Sequence, residues 1–221
     1  MTAFPSSSFS LLGLSGLEQD ALLELINLGV GRAATNLSRM LDEHVVLSVP
    51  KAEIQPLTAA ADALWAREQK GLVAVEQVFS GAFSGSALLI FPERKSLELV
   101  RAIIGPAPPV DEIGDLEQEA LTEIGNVILN GCLAIIANTL GGGLRISLPT
   151  LLRGDGRAIL LSEREPKPDE LVLFLYIDFV VRSRNLHGYI ALLMDLPSLE
   201  GLKALIQAFI ANIGIPGRLS P

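Results

Sequence analysis

Two stretches of this chain place a carboxylate, a second carboxylate and a carboxamide at one fixed spacing. The first reads Asp20-x3-Glu24-x2-Asn27-x22-Pro50 and the second Glu119-x3-Glu123-x2-Asn126-x22-Pro149, so that each motif residue recurs 99 positions later. Positions i, i+4 and i+7 of an α-helix fall within roughly 60° of one another, which gives each helix a short polar stripe. Paired carboxylates suggest acid–base chemistry. On an exposed helix, however, both stay ionised, which is wrong for a general acid. The remaining chemistry is that of two anions and a carboxamide presented on a rigid surface. A single such stripe would read as a solvated helix face. Its recurrence in the same place of a duplicated unit argues for a role.

The rest of each helix is apolar and small. Leu22, Leu25, Ile26, Val30, Ala33 and Leu37 accompany the first stripe, and Leu121, Ile124, Ile128, Leu133 and Ile136 the second. Gly29, Gly31, Gly125 and Gly131 lie inside these segments. A mid-helix glycine costs about 1 kcal/mol relative to alanine, a loss that close packing against a neighbour would offset.

Other candidate chemistry is sparse. Gly141-Gly142-Gly143 follows a helix and precedes a strand, the reverse of a phosphate-cradling loop, and lacks its lysine; it reads as a helix cap and turn. His44 and His187 lie in different halves without ligand spacing, so no metal site is expected. No nucleophile elbow is visible. The single Cys132 excludes an internal disulfide and reads as a buried residue. Pro50 and Pro149 each close a strand-like run and read as strand terminators.

The chain has 221 residues, 49% of them hydrophobic, and a net charge of −8. Its mean hydropathy is +0.44. A large core is therefore assured, and the acidic balance argues against nucleic acid or an anionic membrane as a partner. The apolar run Leu171–Val181 is too short to span a bilayer, and the N-terminus lacks the basic region of a signal peptide. A cytoplasmic protein is expected.

The elements follow a repeat. Residues 1–15 read as a flexible arm, with Ser15 or Gly16 capping a helix over 17–42. A strand over Val45–Val49, with pairing resuming through Ala52–Leu57, a hairpin of Gly71–Ser80 with Ser84–Phe91, and a helix over Glu93–Ile104 come next. Thr58–Gln69, rich in alanine, reads as an irregular connection with at most one helical turn. Pro106–Pro109 is the linker between halves. The second half repeats the order: a helix over 114–140, a strand over Leu144–Leu152, a turn at Arg153–Gly156, a short strand over Ile159–Ser162, a hairpin of Glu170–Ser183 with His187–Met194, and a closing helix over Pro197–Ile213. The expected fold is α+β: a duplicated αβββα unit (repeats at about 16–105 and 110–214) forming one domain over 16–221. Its six strands would make a pseudo-twofold antiparallel sheet, covered by helices that include the two long stripe-bearing ones. Poor alternation along the strands fits a sheet covered over much of its area.

The two motifs resemble the Asp/Ser-x3-Glu-x2-Asn-x22-Pro signature of the CheC, CheX and FliY phosphatases of bacterial chemotaxis. The first copy matches at every position; the second has Glu119 where Asp or Ser is usual. Two complete Glu/Asn pairs resemble CheC rather than CheX, in which one pair is retained. The resemblance covers nearly the whole chain and implies a hydrolase acting on the phosphorylated response regulator CheY. It implies that Glu24 and Glu123 anchor the regulator through a lysine of its active site. Asn27 and Asn126 would enter the regulator's acidic pocket and orient water for in-line attack on the aspartyl phosphate. Asp20, Pro50, Glu119 and Pro149 would support them. An acyl phosphate is already activated, so positioning and charge management suffice. The chain needs no cofactor of its own, because the Mg²⁺ would belong to the regulator. The resemblance also admits the receptor deamidase CheD as a partner. Internal duplication in place of a dimer makes a monomer the expectation. The rival expectation is a non-catalytic or weakly catalytic adaptor for phosphorylated CheY or CheD, or a protein associated with the flagellar switch; the intact Glu/Asn pairs favour the enzyme.

Overall fold

The computed structural model describes residues 14–69, 71–104, 113–161, 170–181 and 184–213. Residues 1–13 of the expected arm, the linker Pro106–Pro109 and residues 162–169 lie outside them. In chain order the elements are α1 (Gly16–Leu41), β1 (Val45–Pro56), α2 (Leu57–Arg67), β2 (Leu72–Gly81), β3 (Gly85–Pro92), α3 (Glu93–Ile104), α4 (Ile113–Thr139), β4 (Leu144–Ile146), β5 (Thr150–Gly154), α5 (Gly156–Leu161), β6 (Leu171–Val181), β7 (Arg184–Met194) and α6 (Leu196–Ile213).

All pairing in the sheet is antiparallel, in the order β1-β6-β7-β3-β2-β4, with β5 also on β2. β4 pairs with Phe79–Gly81 and β5 with residues 72–76, so the two lie in line along one edge of β2. Seven strands thus fill six lanes. Each half contributes a hairpin, β2–β3 or β6–β7, and the hairpins join at the centre through β3 and β7. The first strand of each half crosses to the other: β1 pairs with β6, and β4 and β5 pair with β2. The two halves therefore share one sheet.

Both faces of the sheet are covered. Along β2, Val73, Val75 and Phe79 join the core beneath α1 and α4, whereas Leu72 and Ala74 join a second cluster beneath α2 and α5. Leu72, Val73, Ala74 and Val75 are buried in succession, and this is why alternation is weak along that part of the strand. Segment Gly114–Thr139 is long and apolar enough to cross a membrane, yet 56% of its most apolar window is buried inside the fold. It is the core helix packed on the sheet.

Four expectations need correction. The stretch read as irregular is the helix α2. Its buried residues Leu57, Ala60, Ala61 and Leu64 have helical spacing, but alanine gives a faint hydrophobic signal despite having the strongest helix propensity. Ile159–Ser162, read as a strand, belongs to α5 up to Leu161. Asp155 caps that helix, its Oδ1 accepting from Arg157 N at 2.9 Å and Ala158 N at 2.8 Å. The single strand expected over Leu144–Leu152 is broken into β4 and β5. Finally, Pro50 does not end its strand: β1 runs through it to Pro56, and the pairing expected to resume at Ala52 does so after a register shift between Ser48 and Lys51.

Candidate functional site

α1 begins with a capping box. Ser15 Oγ accepts from Glu18 N at 3.4 Å, and Glu18 Oε2 accepts from Ser15 N at 2.6 Å. The bond from the Ser15 backbone, aided by Gln207 Nε2 on α6 at 2.6 Å, holds the Glu18 carboxyl below its usual range. The helix turns Leu22, Leu25, Ile26, Gly29, Val30 and Ala33 inward. Asp20, Glu24 and Asn27 stand exposed on the outside. On α4 the inward residues include Leu121, Ile124, Ile128 and Leu133. Glu119 and Glu123 are exposed and Asn126 is half-buried.

Two glycines set how closely these helices pack. A Cβ on Gly29 would lie 2.8 Å from Cys132 Cα, so α1 and α4 touch backbone to backbone. A Cβ on Gly125 would lie 2.5 Å from the Val75 side chain, so α4 rests directly on β2. That second approach brings Asn126 down to the strand. Gln77 Nε2 donates to Asn126 Oδ1 at 3.2 Å and to the Ser147 carbonyl at 3.0 Å. Asn130 Nδ2 donates to the same Asn126 oxygen at 2.6 Å. A backbone carbonyl can only accept, so Ser147 fixes which way the Gln77 amide faces. Gln77 in turn fixes Asn126. With both lone pairs of Oδ1 engaged, the Asn126 side chain has only its Nδ2 hydrogens to offer a ligand.

Gln77 is 1% exposed, and among the described residues its Oε1 has no hydrogen-bond partner. A buried acceptor left unpaired costs about 1–3 kcal/mol. The break in the edge strand makes the arrangement possible. Pro149 has no N–H to give to a ladder and sits in the gap between β4 and β5. Ser147 spans the gap: its N donates to Val78 O at 2.8 Å, and its Oγ accepts from Val78 N at 3.0 Å. The Asn126 and Pro149 segments of the second motif are thereby linked through Gln77.

The first motif is built differently. Among the described residues no hydrogen bond engages the Asn27 side chain. Glu24 borders an apolar groove of about 470 Å³ lined by Leu17, Ala21, Leu25, Leu28, Thr139 and Phe209, among others. Elsewhere a half-buried ion pair tethers α4: Glu117, 4% exposed, accepts from Ser96 Oγ at 2.7 Å and from Nη2 of the partly exposed Arg153 at 3.2 Å. Among the described residues no three His, Cys, Asp or Glu side chains come together as a metal site would require. Sequence reasoning missed Gln77, Asn130 and Ser147. The available signal was a glutamine in phase with Val73, Val75 and Phe79 on an otherwise apolar strand face.

No family model matches the chain. Several curated proteins are similar to it. The flagellar motor switch phosphatase FliY of Bacillus subtilis is 26% identical over 163 residues, 72% of this chain but 42% of that protein. The protein CheC1 of Halobacterium salinarum is 23% identical over 84% of this chain and 92% of its own length. The CheY-P phosphatase CheC of B. subtilis is 25% identical over 57% of this chain and 61% of its own. The chain thus spans less than two thirds of both B. subtilis proteins. Among solved structures, Thermotoga maritima FliY superposes with a TM-score of 0.69 at 17% identity, covering 89% of this chain and 98% of that one. The FliM middle domain of H. pylori gives 0.61 at 10% identity over 87% and 99%. The CheX–CheY–BeF3–Mg²⁺ complex of Borrelia burgdorferi gives 0.50 at 15% identity over 78% and 99%. At these identities the superpositions establish a shared fold.

Proposed function

We propose that this chain, a relative of the CheC, FliY and CheX family of CheY-P phosphatases, hydrolyses the aspartyl phosphate of a CheY-type response regulator at two sites, Glu24/Asn27 and Glu123/Asn126. The observation that carries this reading is that both pairs lie on long helices with their carboxylates in solvent. An acid on an open helix face suits a protein partner better than a small molecule. In the reading, Glu24 or Glu123 pairs with a lysine of the docked regulator. The asparagine enters the regulator's active site and holds a water in line with the phosphorus. The water oxygen bonds to phosphorus as the bond from phosphorus to the aspartyl oxygen breaks; the regulator keeps the carboxylate, and the water's proton leaves with inorganic phosphate. The Mg²⁺ that neutralises the phosphoryl oxygens belongs to the regulator. A carboxamide is no strong base, and an acyl phosphate does not require one.

The reading is tested by following aspartyl-phosphate decay on a Mg²⁺-loaded CheY-type regulator with this protein substoichiometric. Turnover is expected. It should fall roughly 100-fold or more, as on removing a transition-state hydrogen-bond donor, when Asn27→Ala and Asn126→Ala are combined, with regulator binding retained. A double variant that hydrolyses at the unmodified rate sinks the proposal. The rival reading is an adaptor that binds the regulator without hydrolysis. Binding without acceleration by the unmodified protein would select it.

A further inference from the structure

The two halves differ at two places beside the asparagines. Asn130, which supports Asn126, corresponds at the 99-residue offset to Gly31. The counterpart of Gln77 follows from register. Gln77 pairs with Ala87 on β3. The β3 segment Gly85–Ile90 echoes the β7 segment Gly188–Leu193 at an offset of 103, which carries Ala87 to Ile190. Ile190 pairs with Leu175 on β6, 1% exposed and in the same core as Val73, Val75 and Phe79. By this equivalence the first site has Leu175 and Gly31 where the second has Gln77 and Asn130.

We propose that Gln77, assisted by Asn130, is a positioning residue for Asn126, fixing its carboxamide with Nδ2 outward as a donor. The second site is then preorganised and the first is not; the inference rests on the two-site reading above. The buried, unpartnered Oε1 of Gln77 is its supporting observation. A fold needing only a filler at this position has one in the leucine of the other half. A glutamine left half-satisfied in the core makes sense through what its Nε2 holds. In the second site the asparagine can only donate to the attacking water, leaving a water lone pair free for phosphorus. In the first site Asn27 must settle its own orientation once the regulator has docked.

The test isolates each site. In an Asn27→Ala background only the second site turns over, and in an Asn126→Ala background only the first. Gln77→Leu should lower kcat in the first background roughly 10- to 100-fold, the scale of a misplaced catalytic group, with KM little changed. That loss should exceed any seen in the second background by the same factor. Asn130→Ala, a helix-favouring change on the surface side, gives a smaller loss of the same kind and guards against a Gln77→Leu protein that does not fold. Equal losses in the two backgrounds, or none in either, overturn the proposal. A second readout needs no turnover. The side-chain NH₂ signal of Asn126 in ¹⁵N relaxation should be rigid beside that of Asn27, and Gln77→Leu or Asn130→Ala should loosen it. An Asn126 amide as mobile as that of Asn27 in the unmodified chain overturns the proposal independently. If neither asparagine affects hydrolysis, the phosphatase reading fails and the relaxation data alone decide the positioning role.

Discussion

Gly29 and Gly31 lie two residues apart on α1, and the same substitution should move stability in opposite directions at the two. Alanine is better than glycine in a helix interior by about 0.8–1 kcal/mol at either position. At Gly31 the new methyl meets nothing within 4 Å, so Gly31→Ala should stabilise by about that amount. At Gly29 the methyl would stand 2.8 Å from Cys132 Cα and 3.4 Å from its carbonyl oxygen. Carbon atoms in contact sit about 3.5–4.0 Å apart, so α1 and α4 must separate locally by roughly an ångström. Backbone on both sides leaves no flexible side chain to yield. Overpacking of this kind costs about 1–3 kcal/mol. Because the propensity gain cancels between the variants, their difference isolates the packing cost, about 1–3 kcal/mol with Gly31→Ala the more stable. For a chain of 221 residues, at about 2–4 °C per kcal/mol, that separates the melting temperatures by roughly 2–12 °C. The assay is urea unfolding of both variants, compared through their midpoints at a common slope. If Gly29→Ala stabilises as much as Gly31→Ala, the helices do not meet backbone to backbone there, and the packing that sets the spacing of the two stripes is wrong.

Two further outcomes follow from buried or tethered groups. Glu18→Gln should destabilise at neutral pH by about 0.3–1 kcal/mol, the scale of a carboxylate at a helix N-terminus. The folded state holds this carboxyl below its usual range, so its contribution is complete above that range and vanishes as acid protonates it. Urea midpoints of the two proteins should therefore converge on acidification below the ordinary carboxyl pKa, and a difference that persists or grows there refutes the role of the charge. Burial pushes the Cys132 thiol up to about 12, so at pH 8 a thiol reagent should react only as the chain unfolds; prompt reaction of the native protein would contradict the packing of α4 on α1.

What could be read in advance was whatever is local or repeated. The long helices follow from periodic apolar residues and, for the first, a capping residue at Ser15. The hairpins follow from β-branched runs around short turns, and the motif stands out because the chain carries it twice. The short helices α2 and α5 were lost where the signal is ambiguous: an alanine stretch shows little amphipathicity, and the Arg153–Gly156 sequence carries a turn and a helix cap in the same four residues. The break at Pro149 was visible as a proline, but its consequence was not. A proline at the end of a strand and one between two collinear strands read alike until β2 is seen to pair with both pieces.

The surroundings of Asn126 were hidden for a different reason. Comparing two halves of one chain brings out what they share, and Gln77 and Asn130 are among the positions where they differ. In isolation such differences look like drift. They gain meaning through contacts at sequence separations of 49 and 70 residues, from Gln77 to Asn126 and to Ser147. Those contacts exist because the first strand of the second half crosses to the hairpin of the first. The exchange of strands that merges two repeats into one sheet also supplies the second asparagine with a buried partner from the other repeat. On the opposite side, β1 crosses to β6, where Ala52 faces Leu175 and no amide is available. Symmetric in backbone, the exchange is asymmetric in side chains, and duplication followed by such divergence is a physical route from two equal stripes to one fixed and one adaptable carboxamide.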